Sequence, residues 1–328
     1  MLTTGGILTL LYFIVFLVLI KIAPFTMTAI VIGLYFSILV RVPEKFLVQK
    51  FKLNSTLSRI ISNIFFIGIV LYAFGNLIPI IIDQGKVVLE NLKITSSGDL
   101  YEAMPEWIVK LIEDFSQKLS STGLSILDKV VGSAPNFIAS IVIAIITAAT
   151  LNGIISKVSD KFWVIFPSSE RSKGVLFLKK TFRDFEVFVQ GQFLVATFVG
   201  LIVGLASFVA GIKGAAFLGV LSWITDFIPY LGIVIAAVPM LLIGYATRGL
   251  TGLIIGIVII VAANQLEVWF FSPKVQSSNL KIHWYVIFII IFIFGELFGV
   301  IGTLLALPCL IFMINYWNTF VAPELKKK

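Results

Sequence analysis

The chain has one cysteine, Cys309, and one histidine, His283, among its 328 residues. A lone cysteine excludes an intrachain disulfide framework, and neither residue sits in a redox or metal-ligand spacing. No phosphate loop, dinucleotide fingerprint, set of paired metal ligands or nucleophile triad occurs in a suitable context. An enzyme is therefore not expected, nor a metal, a cofactor or ATP-driven transport by this chain alone. Lysine and arginine are missing from Met1 to Gly6, and the first apolar run leads straight into a second. A cleavable signal peptide is not expected either.

What the chain has in excess is apolar side chains. They make up 59% of the residues, and the mean hydropathy of +1.06 lies outside the range of soluble globular domains. The formal charge is +8, with 25 lysines and arginines against 17 acids. The cations fall mostly in short segments beside apolar runs. Positive-inside bias and anionic lipid explain them there, and no aromatic-basic groove points to nucleic acid.

Residues 1–82 read as N-terminal membrane helices. The runs Ile7–Ile22 and Phe25–Val40 are divided by Lys21 and Pro24, as a tight hairpin or one kinked helix, the hairpin being favoured. Arg41 to Arg59 carries Arg41, Lys45, Lys50, Lys52 and Arg59 against Glu44, a cytoplasmic loop by charge, before a third span at Ile60–Ile82. Residues 83–136 form an extracytoplasmic helical segment. Its apolar face, Trp107, Ile108, Leu111, Ile112, Phe115 and Leu119, suits packing on a neighbouring helix, a subunit contact or the membrane surface. Residues 137–156 are a further membrane helix. Residues 157–186 are a basic, amphipathic cytoplasmic segment with Phe177, Thr181, Phe185 and Phe188 on its buried side.

The C-terminal membrane core covers 187–322, followed by a basic tail at 323–328. Gly191, Ala196, Gly200 and Gly204 mark places in Val187–Val209 where another helix can approach closely. Ala215–Ile228 and Ile233–Tyr245 are short apolar segments hinged at Pro229 to Gly232, and Leu250–Phe271 is long enough to cross. Trp284–Phe320 is too long for one span and is interrupted by Gly295, Gly299, Gly302 and Pro308. The expected fold is all-α, a polytopic transmembrane helical protein with about eight membrane segments and re-entrant or broken helices. Both termini of this cell-membrane protein are expected in the cytoplasm.

The candidate functional residues are the polar ones inside apolar sequence. Asp226 reads as a proton or cation site, a structural hydrogen-bonding group or a helix-end residue at the surface. Asn264 and Glu267 share a helix face, with Gln265 beside them, and could line a polar passage or brace two helices. Glu296, surrounded by apolar residues, suits a proton relay if deeply placed, or a brace beside a kink. Arg248 is a helix-end or headgroup contact, or less simply an anion contact, and His283 a helix cap or a polar residue at the surface. Pro229, Gly232, Pro239, Gly244, Gly299, Gly302 and Pro308 are candidate helix breaks or gates, where kinks expose backbone dipoles.

The motifs FIPYLG at Phe227–Gly232, AAVPMLLIG at Ala236–Gly244 and NQLE at Asn264–Glu267 come in one order and spacing with three more. These are SPKV at Ser272–Val275, LKIH at Leu280–His283 and LFGVIGTLLALP at Leu297–Pro308. In this the chain resembles the autoinducer-2 exporter family, also described as PerM-like permeases. It departs from the family's pattern at Trp284, where a proline is common, and at Glu296, where a small residue often stands. The resemblance implies a secondary-active transporter exporting a small polar solute such as autoinducer-2, coupled to protons or sodium. It also implies two alternatives, a sodium or lithium/proton antiporter and a permease of undefined cargo, and association as a homo-oligomer. A non-transporting membrane scaffold acting through the Trp107–Leu119 face is the reading from a different class.

Overall fold

A computed structural model of the chain describes residues 3–65, 67, 68, 106, 110, 142, 143, 146, 147, 150, 165–229, 231–271 and 283–325. In chain order the elements are α1 (Thr4–Ile22), α2 (Pro24–Phe51), α3 (residues 55–65), α4 (Arg171–Val209), α5 (Ala215–Thr225), α6 (Leu231–Leu266) and α7 (Trp284–Tyr316). A turn of 3-10 helix, Ser168–Glu170, precedes α4. Five-residue π-helical turns extend α6 at Glu267–Phe271 and α7 at Trp317–Val321, before α8 (Ala322–Leu325). No strand occurs among the described residues. The expected 83–136 segment with its Trp107–Leu119 face, most of the 137–156 span and the 272–282 loop lie outside them.

Five stretches are long and apolar enough to cross a membrane, namely Thr4–Ile22, Pro24–Phe51, Ser168–Val209, Thr247–Trp269 and Tyr285–Leu325. Leucines, isoleucines and phenylalanines along them face outward. A soluble fold would bury such a surface, and lipid accommodates it. The protein is an all-α, multi-pass membrane protein.

The contacts divide the chain into two units. The first comprises residues 1–67, 138–190 and 277–328, and the second residues 68–137 and 191–276. In the first unit, α1 begins at the N-cap Thr3, whose hydroxyl accepts from Gly6 N, and a Glu170 carboxylate oxygen accepts from Gly5 N at 2.8 Å. Anionic and side-chain acceptors at a helix start satisfy otherwise orphaned amides. α2 starts with Pro24 at its first turn, where a missing N–H costs nothing. It runs 28 residues, about 42 Å at 1.5 Å per residue, so its end outlasts the apolar core of a bilayer. The basic stretch expected to be a loop is thus helical as far as Phe51. Its cations have a partner there, since Arg41 and Lys45 pair with Glu186 of α4 at 3.5 and 2.9 Å. Phe166, Phe177 and Phe320 form a buried aromatic cluster that Phe312 and Tyr316 extend.

The second unit is held by a stripe of valines, Val195, Val199 and Val203, packed with Ile212, Leu218, Met240, Ile243, Ile259 and Ala263. α4 and α5 approach through glycine. A Cβ on Gly219 would lie 2.9 Å from both Gly204 Cα and the Gly200 carbonyl, so only glycine lets these backbones touch. An open apolar groove of about 560 Å³ runs beside that contact, from Thr197 and Trp223 to Phe208.

Two helices double back on themselves. In α6 the chain leaves helical geometry at Arg248 and Gly249 (φ 60°, ψ −144°), and in α7 at Gly299 (φ 65°, ψ −151°). Only glycine adopts that backbone freely. A Cβ on Gly252 would overlap the Gly244 carbonyl, and one on Gly302 the Phe294 carbonyl. Residues eight apart in a straight helix stand about 12 Å from each other, so both elements are hairpins. The arm from Trp284 to Phe298 has fifteen residues, about 22 Å, too short for the ~30 Å hydrocarbon core.

Candidate functional site

In the second unit the break between α5 and α6 folds the chain back onto the end of α5. Asp226 caps α5, its N–H donating to Ser222 O at 2.9 Å. Ile228 N then bonds Thr225 O, and Gly232 N bonds Ile228 O, each at 3.0 Å. The Thr225 hydroxyl lies 2.8 Å from Leu221 O and 3.1 Å from Gly232 O, which ties the turn to the last turn of α5. A Cβ on Gly232 would stand 2.6 Å from Asp226 N, so this approach requires glycine. Pro229, Gly232, Pro239, Gly244 and Gly302 are buried, Pro308 is half-buried and Gly299 is exposed.

The carboxyl of Asp226 is the centre of the site. The residue is 1% exposed, and neither carboxyl oxygen has a hydrogen-bond partner among the described residues. Gln192 of α4, also buried, donates from Nε2 to the Asp226 backbone carbonyl and leaves the side chain free. Ser222 lies one helical turn before Asp226. It is buried, with its hydroxyl likewise unpartnered among the described residues. Glu267, 8% exposed, opens the π-helical turn at the end of α6 and lies within electrostatic reach of Asp226. Such turns widen a helix locally and recur at functional sites. Phe193, Trp223 and Phe227 contact one another edge-on or tilted nearby, and the Trp223 indole donates to Thr197.

The structure thus buries both Asp226 and Glu267 in the second unit, and it corrects the surface reading of Asp226, which ends α5 but is sealed. The other polar candidates separate. Asn264 is half-buried and Gln265 exposed on α6. Glu296 is exposed on the first unit, on the α7 arm that precedes Gly299. Arg248 is exposed at the α6 turn with its guanidinium against Gly211. His283 caps α7, its Nδ1 accepting from Tyr285 N at 3.4 Å. Gln192 and Ser222 escaped the sequence reading. The available signals were an amide inside an apolar run and a hydroxyl four residues before an acid.

Two carboxyls buried in one apolar unit cannot both carry an uncompensated charge cheaply, and a proton or a small cation at either one offsets the cost. The group is built from a few oxygens, and among the described residues no three acidic, histidine or cysteine side chains converge as in a multidentate metal centre. It suits reversible loading of a single positive charge.

Comparison with known proteins places the chain in a family. The family model described as AI-2E family transporter matches residues 7–322. The chain belongs to the AI-2E transporter family. A Thermotoga maritima protein, provisionally named a transport protein, is 41% identical over 312 residues, covering 95% of this chain and 96% of that one. A second Thermotoga maritima protein of the same provisional name is 23% identical over 325 residues, covering 96% and 94%. YueF of Bacillus subtilis, again provisionally a transport protein, is 27% identical over 295 residues, covering 83% and 77%. The family assignment and the multi-pass fold agree on a role in membrane transport.

Proposed function

We propose that the chain is a secondary-active transporter that exports a small polar solute, with Asp226 and Glu267 as its ion-coupling pair. The observation that carries this reading is the sealed, unpartnered Asp226 carboxyl at a broken-helix junction, within electrostatic reach of Glu267. Intramembrane acids at helix breaks are costly unless a proton or cation visits them. The family's name points to autoinducer-2 as the first solute to try. In this reading the protein works in the cell membrane with both termini cytoplasmic, since the basic end of α2 and the basic start of α4 then face inward. It assembles as a homo-oligomer.

The test is flux in vesicles holding the purified full-length protein under an imposed pH or sodium gradient. Gradient-driven movement of autoinducer-2, lost in Asp226→Asn and Glu267→Gln variants that insert normally, supports the proposal. Wild-type flux in both variants overturns the coupling pair. The same acids also favour a second reading, exchange of sodium or lithium for protons. Cation-driven proton movement with no organic solute present identifies it.

A further inference from the structure

Hydroxyls on the helices of the second unit follow one habit. Thr197, Ser207, Thr225 and Thr247 each donate to the carbonyl four residues back, at 2.6 to 2.8 Å. Such back-bonding satisfies a hydroxyl inside an apolar helix without any other partner. Ser222 departs from it. The residue is 2% exposed, and its hydroxyl has no partner among the described residues. Asp226 follows four residues later, one turn along the same face, with both carboxyl oxygens in the same condition.

The surroundings of these two side chains call for a positive charge. Asp226 caps the carbonyl end of α5, where the helix dipole already presents negative charge, and α5 has no basic residue in its last turn. No lysine or arginine pairs with Asp226 among the described residues. Gln192 and Thr225 bond the backbone of the turn, at Asp226 O and Gly232 O, and so fix this helix end without engaging the carboxyl or the Ser222 hydroxyl. A hard cation is held by several oxygens at once, and here two carboxyl oxygens and a hydroxyl oxygen stand at the end of a broken helix. The single carboxylate balances one charge, which favours a monovalent ion over a divalent one.

We infer that Ser222 is the ion-selecting residue of the Asp226 site, its hydroxyl oxygen joining the carboxylate in coordinating one sodium ion. The inference rests on the reading of Asp226 as an ion-loading group and deepens it by naming the ion and the residue that selects it. A proton needs the carboxyl alone. Sodium needs the added oxygen, so Ser222 is what lets sodium compete with the proton at Asp226.

The experiment follows the melting midpoint of the purified full-length protein in detergent as sodium chloride replaces choline chloride at constant ionic strength. An ion bound only by the folded state stabilises it, so the wild-type midpoint is expected to rise with sodium. Ser222→Ala raises the sodium concentration needed for a given rise about tenfold or more, the scale of losing one polar contact to a charge. Ser222→Cys, close in size but with a soft sulfur in place of the hard oxygen, has the same effect and carries the test if the alanine variant does not fold. Ser222→Thr keeps the hydroxyl and most of the response, and Asp226→Asn removes the response. Thr247→Ala, which deletes a hydroxyl engaged within its own helix, leaves it as in wild type. Equal wild-type midpoints in sodium and choline, or an undiminished response in Ser222→Ala or Ser222→Cys, overturns the inference. The coupling reading fails separately. Flux lost in Asp226→Asn with no sodium response in wild type leaves coupling standing and rejects sodium, while a Ser222-dependent response with flux intact in Asp226→Asn keeps the sodium site and rejects its role in coupling.

Discussion

The hairpins of α6 and α7 make the same turn by the same means and put their polar groups to different use. Fifty residues apart, Gly249 and Gly299 take up the backbone that only glycine tolerates, and Gly252 and Gly302 press against the carbonyls of Gly244 and Phe294. The residue before each turn glycine is Arg248 in one and Phe298 in the other, and Phe298 packs against Phe294. In α6 the buried acids lie at the open end, Asp226 just before the first arm and Glu267 just after the second. In α7 the acid, Glu296, is exposed close to the turn, and the buried polar group of the second arm, Asn315, is engaged with Asp184. The turn is therefore a structural device, while the chemistry depends on what each open end buries.

The largest effects should come from filling the space that both turns keep empty. Gly252→Val and Gly302→Val each drive a side chain into a backbone carbonyl that cannot rotate away, so each should cost about 3 kcal/mol or prevent folding. Thermal melting of the purified protein in detergent measures this. Similar losses would bear out one shared device, and a tolerated valine in either hairpin would break the comparison.

Next comes the difference between the open ends. Asp226→Asn should reduce gradient-driven flux about tenfold or more, the scale of losing one coupled charge, and should remove its dependence on the pH gradient. Asn cannot exchange a proton, whereas Asp226→Glu keeps a carboxyl and should retain part of the flux. Vesicle assays normalised to inserted protein separate these outcomes. Equal flux in all three proteins would leave the α6 hairpin no different in role from that of α7.

How far the sequence could foresee this contrast depended on the kind of residue. Apolar runs of spanning length foretold the all-α, multi-pass fold, but glycine and proline marked the turns unevenly, since the chain turns at Pro229–Gly232 and reverses at Gly299 yet runs on as helix through Pro239 and Pro308. The side-chain sites were harder to read. In a soluble helix, apolar neighbours indicate the buried face. In a membrane helix they surround every position, so Glu296 looked as deep as Asp226 although one is exposed and the other sealed. Gln192 joins the site across 34 residues of chain, a distance no local pattern reveals. The stretch from Arg41 to Arg59 reads as a loop by its charge, yet it is helical as far as Phe51, and Arg41 and Lys45 there pair with Glu186 of α4.

A smaller effect tests how α7 tolerates its proline. Pro308 has no N–H to give to Leu304 O four residues back, and the Tyr35 hydroxyl donates to that carbonyl instead, at 2.8 Å. Tyr35→Phe should lower stability by about 1 kcal/mol, the cost of leaving a partly buried carbonyl unpaired. Pro308→Ala restores the helical donor, so the loss from Tyr35→Phe should shrink in the Pro308→Ala background. Additive losses in this double-mutant cycle would mean that the tyrosine stabilises by packing on Phe185 rather than by capturing the carbonyl.

The smallest expected effect carries the comparison to its limit. Glu296→Gln removes the acid of the α7 hairpin from an exposed position with no ion pair among the described residues, so stability should stay within about 0.5 kcal/mol. Flux should stay within about twofold, since an exposed carboxyl is already hydrated or at the headgroups and gains little from a visiting cation. If Glu296→Gln instead lowered flux as far as Asp226→Asn, the exposed acid would be working in the transport cycle. Coupling would then extend to both hairpins, and the glycine turns would be parts of one mechanism instead of a shared way of reversing the chain.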